Sequence, residues 1–371
     1  MFSSSNRREK PLPPAAVVPL RRSDSVVGED TSGVLLGSGV RWNPEKLPNA
    51  HIVTIGASGS GKTQTLKGII FALHSIYPAM KKIVIDFHGD QDVQGETCYP
   101  LHMASPYGVN PLMINLDPEG GGPSLQAIAV VAVLKKSLQL GSVQEGTLLD
   151  VLGMCYQQRG IKQFEPATWN REPPNFADVQ AELESRTRDE QPCKESQKLL
   201  LKLAATFQYG VFSRPQLPLD ETLIRIDMSK LPPALQSIAA EALAKQLMDS
   251  HRLMGEIKGK LPRTFLSIDE AKEMPRTSNS ASDRIIADGR KYGLALGLAS
   301  QSERHLSLDV IGNSSTKIVL PVDQTEVVKV AKKFRFAEGK VANLQPLQAL
   351  VRMGTDAKQV DILPYYARVE Q

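Results

Sequence analysis

The segment Gly56-Ala57-Ser58-Gly59-Ser60-Gly61-Lys62-Thr63 constrains this chain more than any other. It fits G-x-x-x-x-G-K-[ST], follows the apolar run His51–Ile55 and leads into a helix-like stretch, Gln64–Leu73. A strand, a glycine-rich turn and a helix in that order form a phosphate cradle. The glycines let successive backbone N–H groups turn inward, and the new helix presents its positive dipole end to the same anion. In such a loop Lys62 reaches the β- and γ-phosphates and the Thr63 hydroxyl joins the Mg²⁺ shell, while Gly56, Ser58, Gly59, Ser60, Gly61 and Gln64 complete the cradle. A chain built around this unit needs a buried, mainly parallel sheet, and ATP with Mg²⁺ is the expected ligand.

The rest of the pattern agrees with an α/β chain. Apolar runs at Lys82–Phe87, Leu223–Asp227, Thr264–Ile268, Leu294–Ala299 and Lys317–Pro321 read as buried strands, and Thr63–Leu73 and Leu235–Leu253 read as helices between them. Val34–Trp42 reads as a short strand or hairpin, and Ala349–Met353 and Val360–Leu363 as two late strands. Between the second strand and Leu223 lie more than a hundred residues with helical periodicity at Ser124–Leu140, Val143–Arg159, Asn175–Arg186 and Ser196–Phe207. A structureless loop of that length does not belong in a compact domain. The organisation expected is a basic, disordered tail over 1–30, the first part of a nucleotide-binding core over 31–96, a largely helical insertion over 97–220, and the rest of the core with C-terminal strands over 221–371.

Composition excludes several classes. No apolar run approaches the ~20 residues of a membrane span, so no membrane insertion is expected. The first 22 residues have too short an apolar core for a signal peptide. Three scattered cysteines and six histidines make no disulfide framework or metal-ligand spacing. A cytoplasmic location follows as the expectation. The net charge of +4 resides entirely in Met1–Arg22, where five cations face Glu9 alone. Such a tail can touch phosphates or merely solubilise the chain.

Three further segments bear on chemistry. Thr264–Ile268 ends in Asp269-Glu270, which places one carboxylate to hold the metal shell and the next to polarise an attacking water as general base. Lys82–Phe87 ends in His88-Gly89-Asp90, with acids beside the same site, although a strand-end turn would use them equally well. Gly289-Arg290-Lys291-Tyr292-Gly293 precedes a strand ending in Ser300-Gln301. Gln301 can bond the γ-phosphate or the lytic water, and Arg290 can stabilise charge on the transferred phosphoryl. A polar strand end and a surface cation remain open alternatives for these two.

Taken in order, GASGSGKT, IVIDFHGD, TFLSIDEA, GRKYGLALGLASQ and NSSTKIVL resemble the HerA/FtsK class of P-loop motor ATPases, and more specifically the HerA branch. The resemblance runs from about Val34 to the C-terminus, with the helical segment matching only in position. It implies a RecA-like core, a homo-oligomeric and hexameric ring, and transport of double-stranded DNA through the ring. It further implies that Asp269 and Glu270 form Walker B, that Gln301 senses the γ-phosphate, and that Arg290 is the finger offered to the neighbouring subunit. Arg284, Arg304 and Arg335 compete for that last role.

The chain also departs from the class. HerA proteins carry an N-terminal β-barrel, and FtsK and conjugative coupling proteins carry membrane helices; a counterpart of neither is expected from this sequence. The large helical segment is similar to those of type IV secretion ATPases and of bacterial DNA-defence ATPases paired with nucleases. A nuclease or another partner is therefore expected to complete the assembly. The readings in play are a DNA translocase or helicase, a secretion-type motor for protein or DNA–protein cargo, and a nucleotide-dependent switch.

Overall fold

The computed structural model describes residues 32–275 and 280–370. The expected disordered tail over 1–30 lies outside the described residues. In chain order the elements are β1 (Val34–Gly37), β2 (Val40–Trp42), β3 (Ile52–Ile55), α1 (Lys62–Ile76), β4 (Lys81–Asp86) and β5 (Thr97–Pro100). A run of helices follows: α2 (Pro123–Leu138), α3 (Ser142–Gln158), α4 (Phe176–Arg188), α5 (Lys194–Lys202) and α6 (Ala204–Tyr209). Then come β6 (Leu223–Asp227), α7 (Pro233–Leu253), β7 (Thr264–Ile268), α8 (Ala281–Tyr292), β8 (Leu294–Ser300), α9 (Leu308–Asn313) and β9 (Thr316–Val319). The chain closes with α10 (Val327–Phe334), α11 (Glu338–Ala342), β10 (Gln348–Met353), β11 (Asp356–Asp361) and α12 (Tyr365–Val369).

Nine strands form the central sheet in the order β11-β10-β9-β3-β8-β7-β4-β6-β5. The seven from β9 to β5 run parallel, and β10 and β11 add an antiparallel edge. Every residue of β3, β7 and β8 is buried, as continuous apolar strands covered on both faces must be. The pleat divides their side chains between two layers. Val53, Ile55, Ile83 and Ile85 join the large core under the helices, whereas Ile52, Ala295 and Ile318 join a smaller core with β1, β2 and α1. This is a RecA-like α/β architecture.

Two features of the 97–220 stretch depend on the sheet. First, β5 lies inside the 97–220 span yet pairs in parallel with β6 as the far edge of the sheet. Its four residues are half-exposed, too short and too polar to stand out as a strand. Second, Leu134, Leu148, Val151, Leu152, Phe176 and Leu183 share one core with Ile224, Ile226 and Leu266 of the sheet. The helices form a layer on the sheet and bury their apolar stripes against it. The expected helix Ser196–Phe207 divides at Leu203, where α5 gives way to α6.

Candidate active site

Four neighbouring strand ends, β3, β8, β7 and β4, deliver the site. They lie side by side in the sheet although the chain visits them in the order β3, β4, β7, β8. Adjacent parallel strands expose their carboxyl ends on one edge, where loops can converge on a ligand. The loops after these strands line a cleft of about 530 Å³ whose walls include Ser58, Gly59, Gly61, Lys62, Thr63, Gln64, Asp90, Asp269, Glu270 and Gln301.

The 56–63 loop is held from below by backbone. Gly56 N donates to Ser300 O at 3.1 Å, Ala57 N donates to Pro321 O at 2.8 Å, and Leu347 N donates to Ser60 O at 3.0 Å. Gly61 caps α1 at φ 98° without any side-chain cap, which leaves the first-turn N–H groups facing the cleft. A Cβ on Gly61 would also sit 2.5 Å from Leu347 Cδ2. A Cβ on Gly56 would lie 2.4 Å from Ser60 Oγ. The Ser60 hydroxyl is buried and has no hydrogen-bond partner among the described residues.

Charges within the cleft oppose one another closely. Lys62 Nζ donates to Gly56 O at 3.3 Å; burial lowers its pKa, while Glu270, Asp269 and Asp90 pull it back up. Asp269 is buried, and its carboxyl is held well above the usual range by that burial, with Asp86 adding to the effect. Phe87 N donates to Asp269 Oδ1 at 3.3 Å. Glu270 is 1% exposed, and its Oε1 has no partner among the described residues. Buried carboxylates with an unused oxygen need a cation or a water to satisfy them.

The carboxylates of Asp86, Asp90 and Asp269 come within 4.8 Å of one another. Asp86, however, already accepts from the backbone N of His88 (3.1 Å), Gly89 (2.7 Å) and Gln91 (3.1 Å), and from Arg225 Nη1 at 3.0 Å. Its work is to fold the β4 end into a tight turn. That turn brings Asp90 to the Thr63 hydroxyl, which donates to Asp90 Oδ2 at 3.2 Å. Thr63, Asp90 and Asp269 are thus the oxygen donors left for a hard divalent cation, and their chemistry suits Mg²⁺.

The structure brings together the predicted Gly56, Ser58, Gly59, Ser60, Gly61, Lys62, Thr63, Gln64, Asp269, Glu270 and Gln301 at one strand-end edge. Arg290 is apart from them, exposed in the last turn of α8 and absent from the cleft walls. Sequence reading did not single out Asp90 within the acids after β4, nor Arg225 as the partner of Asp86. One signal for the latter was available: an arginine inside the otherwise apolar run Leu223–Ile226 requires buried acids nearby, and it meets Asp86, Glu96 and Asp227.

No protein-family model matches the chain. Among curated proteins it is 32% identical over 96 residues to a probable helicase of Methanocaldococcus jannaschii, covering 24% of this chain and 18% of that one. It is 22% identical over 336 residues to the DNA double-strand break repair helicase HerA of Sulfolobus acidocaldarius, covering 84% of this chain and 64% of HerA. The chain therefore spans less than two thirds of either relative. Among solved structures, VirB4 of Thermoanaerobacter pseudethanolicus superposes with a TM-score of 0.73 at 18% identity, over 90% of this chain and 97% of VirB4. The bacterial conjugative coupling protein TrwB gives 0.59 at 14% identity over 89% of each chain. TrwB has been solved with ADP and Mg²⁺ and with a non-hydrolysable ATP analogue.

Proposed function

We propose that this chain, whose RecA-like fold is that of the HerA/FtsK-type P-loop motor ATPases, hydrolyses ATP as a subunit of an oligomeric motor acting on double-stranded DNA. The observation that carries the reading is the convergence of the phosphate loop, the Asp269-Glu270 pair and Gln301 on one cleft. Backbone N–H groups of the loop and the α1 start hold the triphosphate, with Lys62 neutralising the charge that builds between its outer phosphates. Thr63 and Asp269, with Asp90 beside them, would hold Mg²⁺, which would supply positive charge to the phosphate oxygens when bound. Glu270 takes the proton of the attacking water through its unpartnered oxygen. Gln301, at the tip of β8 between the loop strand and the acid strand, orients that water or the terminal phosphate.

The exposed position of Arg290 suits a residue that acts on a neighbouring subunit rather than on its own cleft. Oligomerisation then becomes a condition for turnover, and the expected assembly is a hexameric ring. The similarity to HerA over most of the chain favours DNA as the cargo. A second reading, a secretion-type motor for protein or DNA–protein cargo, draws on the extent of the likeness to VirB4. A nuclease or another partner remains part of the proposal, to complete the assembly.

Glu270→Gln tests the chemistry. The amide keeps the shape and loses the base, so ATP should bind with near-normal affinity while hydrolysis falls about 10²-fold or more. Equal hydrolysis by wild type and variant would refute the assignment and favour a nucleotide switch. Stimulation of wild-type turnover by duplex DNA, but not by a protein cargo, separates the two motor readings.

A further inference from the structure

The strand pair β9–β10 places two cations directly opposite each other, Lys317 and Arg352, which are register partners in the antiparallel ladder. Like charges in that position destabilise a sheet, and among the described residues only carbonyls and a ring, not a carboxylate, meet them. Lys317 Nζ donates to Ser314 O at 2.7 Å, and Arg352 donates to the carbonyls of Thr355 and Arg335. None of the three cations Lys317, Arg335 and Arg352 has a carboxylate partner among the described residues. Burial lowers the Lys317 pKa, and Arg352 and Arg335 lower it further.

Two more details mark the same patch. Arg335 follows α10 at φ 59°, a left-handed conformation that disfavours a side chain. Arg352 lies 4.9 Å from the Phe336 ring centroid, and its buried Nε–H has no acceptor among the described residues. Cationic repulsion and backbone strain are gathered at one surface, with the exposed Lys332 on the last turn of α10 near Arg335. A surface of this kind gains free energy when a polyanion supplies the missing negative charge.

We infer that Lys317, Arg335 and Arg352 form a contact site for the phosphodiester backbone of duplex DNA. The inference rests on the motor reading above and locates the surface that reading leaves unassigned. The cations are spread over two strands and a helix end rather than around an enclosed cavity, which suits a repeating phosphate chain better than one small anion. The patch is also tied to the cleft. On the other side of α10, Lys333 pairs with the buried Glu303, and Ser302 Oγ donates to Glu326 Oε2 at 2.8 Å just before the helix. Ser302 and Glu303 directly follow Gln301, so these contacts join α10 to the tip of β8.

Fluorescence anisotropy with a short labelled duplex, titrated between about 50 and 200 mM salt, tests the site. Lys317→Gln with Arg352→Gln should weaken binding about tenfold or more and reduce the salt slope by about two, one for each phosphate left without its cation. Relief of the cross-strand repulsion should leave the thermal midpoint at or above that of wild type. Arg335→Gly removes a charge while easing the left-handed strain, so it should weaken DNA binding without loss of stability. Wild-type affinity and slope in these variants would overturn the site and leave the motor reading standing. No duplex binding by the wild-type assembly would overturn both. With the cleft saturated by ADP and Mg²⁺, displacement of the duplex by inorganic tripolyphosphate at far lower phosphate concentration than by unlabelled duplex would show a small-anion site and overturn the inference.

Discussion

Glu241 shows what an isolated charge costs inside this molecule. It lies in α7, 8% exposed; Ala281 N donates to its Oε1 at 2.7 Å, while its Oε2 has no partner among the described residues. Burial pushes its pKa from 4.5 up to about 7, against the pull of the Ala281 N–H, Arg284 and Lys245, while Asp283 adds to the rise. The folded state therefore holds the proton more tightly than the unfolded chain. Stability from this group is full below about pH 4.5, falls as pH rises toward 7, and is flat above that. Glu241→Gln keeps the acceptor for Ala281 and removes the titration. Denaturant unfolding across this range should show the variant gaining on wild type as pH rises, by on the order of 3 kcal/mol. A constant difference would contradict the account. At the same scale the phosphate loop was plain from its glycines and Lys62-Thr63, because backbone geometry alone demands those residue types. Asp90 was not, because only the Asp86 turn decides which strand-end acid meets Thr63.

Elements built from unbroken apolar runs were easy to read: β3, β4, β6, β7 and β8 all coincide with them to within a residue or two. Those built by pairing or packing were not. β5 is recruited by hydrogen bonding to β6, and α8 carries so few apolar residues (chiefly Ile285 and Ile286) that its period is hidden. The helical layer illustrates the energetic consequence. Leu152 is fully buried in α3 within the core that also holds Ile224 and Leu266. Leu152→Ala should therefore cost about 2–5 kcal/mol and lower the midpoint of the transition that unfolds the sheet. A separate early transition of the helices, with the sheet unaffected, would show that the layer folds as an independent domain.

At the scale of the whole molecule, the cleft gathers the phosphate loop, Glu270 and the oxygens of Thr63, Asp90 and Asp269 but no arginine among its described walls, since Arg290 lies apart from it. No helix among the described residues is long and apolar enough to cross a membrane. Arg290→Ala should leave ATP affinity intact and reduce hydrolysis about 10³-fold or more in a uniform assembly. Mixing it with the Glu270→Gln protein should restore part of the activity, because some interfaces then join an intact Arg290 to an intact Glu270. Absence of any rescue in verified mixed assemblies would place the missing charge on another arginine. The sequence by itself determined the phosphate loop, the strand–acid unit and the RecA-like class, since each is set by residue types within a few positions of one another. Only the tertiary structure decided that β8 lies between the loop and acid strands, that Asp86 serves the turn and Asp90 the cleft, and that Lys317 opposes Arg352. Those are consequences of strand order and register, which arise from contacts between residues distant in the chain.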